Sequence, residues 1–256
     1  MTTAALNPRP AGTPLSRITR IVKLNLTNPW TTIILPWIII GAIFALSYGI
    51  WVIVYTNINP EDANNASDGL QYSGANSWIF VYMMVIAVQA MNLTFPLALG
   101  YGVTRRDFYL GSSLTFVLLS AMYAVGLTIL AAIEDATGGW GIGGRMFTAI
   151  YFGGDDVAWW ERLPIFFFIL LLFFFVGASV ATLYVRWKAN GLVVYFLALG
   201  VLVVGAVAFF TYTGNWGLVG SFLGLGALGV SAWLLVPTAL AGVAGYLVLR
   251  RATPRS

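Results

Sequence analysis

The feature that most constrains this chain is a series of apolar segments of about twenty residues, the length that crosses the hydrocarbon core of a bilayer. Of the 256 residues, 59% are hydrophobic and only 9% are charged, whereas a soluble domain carries about 25% charged residues. A segment in lipid must satisfy its own backbone polar groups, and an α-helix does so within the segment. The sequence therefore predicts an all-α polytopic membrane protein.

Six transmembrane helices are predicted, together with an amphipathic N-terminal interfacial helix and a short re-entrant external helix before the sixth span. The re-entrant helix is needed because the apolar stretch after the fifth span is too long for one crossing. Residues 1–256 are treated as a single transmembrane domain. The predicted boundaries are 31–55, 77–100, 110–133, 163–185, 191–212 and 229–249 for the spans, 15–27 for the interfacial helix and 215–228 for the re-entrant helix.

The distribution of charge predicts the orientation of these spans. Eleven of the 13 Lys and Arg residues fall in the N-terminal segment, two short turns and the C-terminal tail, and eight of the nine acidic residues fall in the alternate segments. Cytoplasmic loops are the ones enriched in Lys and Arg, so both termini are expected inside. Arg17, Arg20 and Lys23 of the interfacial helix would face anionic lipids. An ordinary basic segment beside the first span explains these three residues equally well.

Several kinds of chemistry are disfavoured by the residue content. The chain has no Cys and no His, so thiol chemistry is excluded and the commonest general base and metal ligand are missing. We predict no catalytic residue, no metal site and no nucleic-acid partner. The only lysines, Lys23 and Lys188, do not follow a glycine, so the chain has no P-loop and no bound cofactor is expected. Segment 139–144 has the spacing of a dinucleotide fingerprint, but without a preceding strand we interpret it as a flexible external loop.

Two polar side chains lie deep in the predicted second span. Gln89 and Asn92 are three residues apart, which places them on one helical face with Phe95 following. Polar side chains are costly in lipid, so this face should meet protein or a cavity. Two interpretations remain open, namely hydrogen bonds between helices and a lining of a substrate path that includes Phe95.

A compact charged turn joins the predicted second and third spans. The simpler interpretation is a cytoplasmic loop that follows the positive-inside rule. The more specific interpretation is a docking element for a soluble partner. Thr104 can cap a short helix with Asp107 in its first turn, and the two arginines can donate to partner carboxylates. The aromatic residues can act as interface anchors. The residues expected to contact such a partner are Thr104, Arg105, Arg106, Asp107, Phe108 and Tyr109.

The topology and segment 97–111 (LALGYGVTRRDFYLG) resemble the permease subunits of ABC transporters of the type-2 exporter class. In that family this segment forms the coupling helix that contacts the ATPase subunit. The resemblance implies a permease that forms the translocation path, is not itself an enzyme, and lies in the bacterial cytoplasmic (inner) membrane. It also implies that ATP and Mg²⁺ bind a separate ABC ATPase subunit, and that a second permease copy or a paralogue completes the path within the lipid bilayer.

The long Gly- and Trp-rich segment 134–162 departs from the family pattern. The alternative function is therefore a non-transport membrane scaffold, immunity or sensor subunit that acts through its external loops.

Overall fold

The computed structural model describes residues 13–57, 74–154 and 157–251. Across these ranges the chain is helical and contains no β-strand. Most of the segment between the first and second predicted spans, residues 56–76, lies outside the described residues. The α-helices of the described residues are α1 (Pro14–Asn25), α2 (Leu35–Asn57), α3 (Trp78–Gln89), α4 (Phe95–Gly100), α5 (Arg105–Ala136), α6 (Arg162–Thr213), α7 (Trp216–Leu223), α8 (Gly226–Trp233) and α9 (Leu235–Arg251).

Five continuous helical stretches in the described residues are long and apolar enough to cross a membrane. The first joins a π-helical turn, Trp30–Ile34, to α2, and the second joins α3 to α4 through another π-helical turn, Ala90–Thr94. The prediction of an all-α, multi-pass membrane protein is confirmed at this level. The five stretches are Trp30–Asn57, Ala75–Gly100, Arg105–Ala136, Arg162–Thr213 and Gly226–Arg250.

Helix α6 contains both the fourth and the fifth predicted spans. It has 52 residues, which would extend about 78 Å as a straight helix, against about 30 Å of hydrocarbon. The backbone of Lys188 interrupts it with φ 55° and ψ −146°. The break falls inside the basic turn that separates the two predicted spans.

Residues after α6 differ from the prediction in their boundaries. A short helix does occur near the predicted re-entrant segment, but it ends at Leu223, and a second short helix, α8, follows it. The predicted sixth span is divided between α8 and α9. Glycines interrupt this region, since Gly226 has φ +72° and begins α8 with a backbone that L-residues rarely adopt.

The core of the bundle is formed by α3, α5 and the first half of α6, with α9 packed against α6. Phe116 of α5 stacks on Phe174 of α6 with ring centroids 5.1 Å apart. Helix α1 lies against α5, where Ile21 is buried against Gly111. A helix is therefore present where the interfacial helix is predicted, and it packs on a core helix.

The part of the chain from residue 189 to residue 225 has a different environment, because none of its residues is buried. It includes the second half of α6 and all of α7. Its side chains are mostly apolar, so in a membrane they contact lipid or another membrane protein.

Charged residues occur at the two ends of the bundle. Arg17, Arg105, Arg106 and Arg250 lie together at the end where α5 begins, which we name the basic end. The opposite end, where α5 finishes, lies about 48 Å away along its 32 residues, and we name it the outer end after the predicted orientation.

Candidate functional site

The charged turn is built by a reversal between α4 and α5. Gly102 has φ +77°, and Thr104 has an extended backbone that ends the turn. The hydroxyl of Thr104 accepts a hydrogen bond from the backbone N–H of Asp107 at 3.1 Å. The predicted cap is confirmed, but the helix it begins is not a short one: it is the 32-residue α5.

The aromatic side chains of Phe108 and Tyr109 are not available to a partner. Phe108 is fully buried and packs on Phe95, with ring centroids 5.2 Å apart. Tyr109 is also buried, and its hydroxyl donates to the carbonyl of Gly242 at 2.6 Å. The expectation that Phe108 and Tyr109 anchor a soluble partner is therefore corrected, because both face the inside of the bundle. Tyr101, which the partner prediction left out, is 75% exposed.

The start of α5 is joined to two distant helices at the basic end. The guanidinium of Arg17 on α1 pairs with Asp107, with Nη1 and Oδ2 3.4 Å apart. Arg105 Nη1 donates to the backbone carbonyl of Arg250 on α9 at 3.1 Å. The pair between Arg17 and Asp107 is partly exposed and is worth at most about 1 kcal/mol. Its importance is geometric, since it fixes α1 against the turn.

Arginine and lysine side chains are exposed at or near this end, and Arg250 on α9 is one of them. Arg106 is exposed on the first turn of α5, and Arg20 and Lys23 are exposed on α1. A guanidinium offers forked donors that match carboxylates or phosphates. This surface can bind an acidic partner or anionic lipid headgroups.

A cavity of about 200 Å³ with a mixed polar and apolar lining lies between α1, α5 and the two π-helical turns, and we name it the polar cavity after its polar side chains. The wider π-helical turns leave carbonyl groups free to accept other hydrogen bonds. The hydroxyl of Tyr82 donates to the carbonyl of Thr31, and that of Tyr123 to the carbonyl of Thr32, both at 2.8 Å. The polar residues that line the cavity include Asn25, Asn28, Thr31, Thr32, Gln89 and Thr115.

The three predicted path residues are not brought together. Gln89 lines the polar cavity, whereas Phe95 is fully buried in the core. The side-chain oxygen of Asn92 is buried and accepts no hydrogen bond. A π-helical turn, Ala90–Thr94, begins directly after Gln89 and contains Asn92, and the shared face of these two residues stays a prediction. Only Gln89 keeps the environment expected of a path residue.

The carboxylate of Glu134 is buried at the outer end, and its structural role was not predicted from the sequence. Glu134 is 1% exposed and accepts hydrogen bonds from the backbone N–H groups of Met146, Phe147 and Thr148 at 2.8–3.3 Å. The Thr148 hydroxyl donates at 2.6 Å and the Trp140 indole N–H at 2.7 Å. The Gly-rich segment is thus closed over Glu134 rather than being a free loop.

Next to this carboxylate lies an ion-pair cluster. Arg162 is 1% exposed, and its Nη2 lies 3.2 Å from Asp135 and donates to the carbonyl of Gly154 at 2.9 Å. Arg145 lies 3.9 Å from the other oxygen of Asp135. The sequence signal for this cluster is the pair of carboxylates, Glu134 and Asp135, at the end of an apolar span and before a Gly-rich segment.

Comparison of the sequence with protein-family models gives no match, and comparisons with curated proteins and with solved structures give none either.

Proposed function

We propose that this chain is the membrane-spanning permease subunit of an ATP-driven ABC exporter in the bacterial cytoplasmic membrane. The observation that carries the proposal is the connection of α1, α5 and α9 at the capped charged turn. A partner that moved this turn would move three helices together. This is the mechanical property that a coupling element requires.

In this function, a separate ATPase subunit binds ATP and Mg²⁺ and docks at the basic end. Carboxylates of the ATPase pair with the exposed guanidinium of Arg106, and Tyr101 supplies an exposed aromatic contact. Closure of the ATPase dimer then pushes on the first turn of α5. The continuous helix transmits that displacement toward the outer end, where Glu134 holds the external segment.

A second permease copy or a paralogue completes the translocation path in this proposal. The support is the uncovered apolar surface of residues 189–225, which is large enough to receive another membrane subunit. The polar cavity beside Gln89 is the part of this chain that could face a polar group of the cargo.

Six spans with both termini inside are part of the proposal, with α6 divided at Lys188. The chain has no native cysteine, so single cysteines report topology directly. We expect Lys188→Cys to react with a membrane-impermeant maleimide from the same side as Arg106→Cys, and Trp159→Cys only from the other side. Labelling of Lys188→Cys together with Trp159→Cys would contradict the division of α6.

The coupling role predicts a large effect of charge reversal at Arg106. Chain purified gently from its native membrane should carry a P-loop ATPase, and Arg106→Glu should weaken that association by about 2 kcal/mol, roughly thirtyfold. The measurement is the amount of ATPase, and of ATPase activity, recovered with the tagged chain.

Lys188→Glu is the matched control, because it makes the same charge change at another exposed basic residue. It should retain the ATPase. The proposal fails if wild-type chain brings down no ATPase, or if Arg106→Glu retains as much as wild type.

A scaffold, immunity or sensor subunit is the second candidate function. The observation that favours it is the external segment held on Glu134, since an ordered outer surface is what such a protein presents to a partner. In that case Arg106→Glu would leave the biological activity unchanged, while substitution of exposed Trp159 and Trp160 would abolish it.

A further inference from the structure

A cavity with a volume of about 900 Å³ lies at the outer end. It is partly open and lies between the external segment around Tyr151, the start of α6, and the region of α7 and α8. Its size is within the range of about 300–1,000 Å³ typical of small-molecule sites. The apolar residues that form its walls include Ile150, Val157, Ile165, Ile169, Leu228 and Val230.

One charged side chain among the described residues lines this cavity, and it is Glu161. It is only partly exposed. Within the described residues, no hydrogen bond or ion pair engages its carboxylate. The adjacent Arg162 does not compensate it, since that guanidinium is directed to Asp135 and to the carbonyl of Gly154. The described lining therefore combines apolar side chains and polar groups with one carboxylate that makes no described hydrogen bond or ion pair.

We propose that this cavity binds a monovalent organic cation with a large apolar body. Apolar walls favour the burial of the body, and a carboxylate at the edge of a low-dielectric site attracts a cation more strongly than it would in water. Tyr151, which also lines the cavity, adds an aromatic surface that favours cations. An anion of the same size would lack this attraction and would face the charge of Glu161.

The inference is independent of the exporter proposal, because it concerns binding by the isolated full-length chain. The probes are tetraphenylphosphonium and tetraphenylborate, which have nearly the same shape and opposite charge. Binding is measured by isothermal titration calorimetry with the chain in nanodiscs of zwitterionic phosphatidylcholine. Empty nanodiscs give the contribution from partitioning into lipid.

We expect saturable binding of tetraphenylphosphonium by the wild-type chain and none of tetraphenylborate. Glu161→Gln, which keeps the side-chain shape, should weaken binding of the cation about tenfold, equivalent to about 1.4 kcal/mol. Equal affinity in the variant, or equal binding of both probes, would overturn the proposal by showing that the carboxylate plays no part.

A second pair of variants tests the cavity itself. Val230→Trp places an indole ring in the cavity and should abolish binding of the cation, whereas Val204→Trp on the uncovered part of α6 should leave it unchanged. Thermal unfolding of both variants reports whether each is folded. Retained binding in folded Val230→Trp would place the probe elsewhere and would also overturn the proposal.

Discussion

Replacement of Glu134 by Gln is expected to lower the free energy of unfolding by about 3 kcal/mol. The carboxylate accepts from three consecutive backbone N–H groups, a hydroxyl and an indole N–H. An amide has only one acceptor oxygen, and its NH₂ group would face these donors. Buried donors that lose their acceptor cost about 1–3 kcal/mol each. The measurement is thermal or denaturant unfolding of the purified chain in a defined detergent.

Thr148→Val is the matched control for Glu134→Gln. It removes the hydroxyl, which donates to Glu134 at 2.6 Å and accepts from Arg145 Nη1 at 3.4 Å. The backbone N–H of residue 148 stays on the carboxylate, so the substitution should cost about 1 kcal/mol. Limited proteolysis should also cut the Gly-rich segment faster in Glu134→Gln than in Thr148→Val. Equal stability of the two variants would show that the backbone contacts to Glu134 contribute little.

Gly177→Val is expected to destabilise the bundle by roughly 3 kcal/mol, because α3 packs directly against α6 at this glycine. A Cβ atom at residue 177 would lie 2.5 Å from the carbonyl oxygen of Met84 and 2.8 Å from its Cγ. The first contact is with backbone, which cannot move aside without shifting α3. Small residues allow such close helix contacts in membranes.

Gly205→Val makes the same substitution in the second half of the same helix. No atom lies within 4 Å of a Cβ at residue 205, so its stability should stay within about 0.5 kcal/mol of wild type. The midpoints of thermal unfolding of the two variants provide the comparison. A similar loss of stability in both would mean that helix propensity, rather than contact with Met84, dominates.

The helical class and the presence of several apolar helices long enough to span a membrane follow from the sequence because they depend on local properties. Hydropathy over about twenty residues locates the apolar helices, and a Thr before charged residues indicates a helix start, as Thr104 shows. The number of spans is harder to predict from hydropathy. A short basic turn between two spans and a break within one long helix have the same sequence pattern. The observed break at Lys188 is a backbone property that hydropathy does not encode.

The details of the sites depend on contacts between residues far apart in the chain. Phe108 and Tyr109 resemble exposed anchors in sequence, yet α4 and α9 cover them. The spacing of Gln89 and Asn92 suits an α-helical face, yet a π-helical turn begins at Ala90 between them. The role of Glu134 requires a segment twelve to fourteen residues later to fold back on it.

The contacts at the basic end also set an order for assembly during synthesis. The partners in the two links at the turn are separated by 90 and 145 residues, so the second link requires α9. A nascent chain exposes Arg105 long before Arg250 has been made, and the three helices are joined only after α9 has been synthesised. A chain truncated before α9 would therefore lack the second link, and a partner that recognises the joined helices would distinguish it from a chain that contains α9.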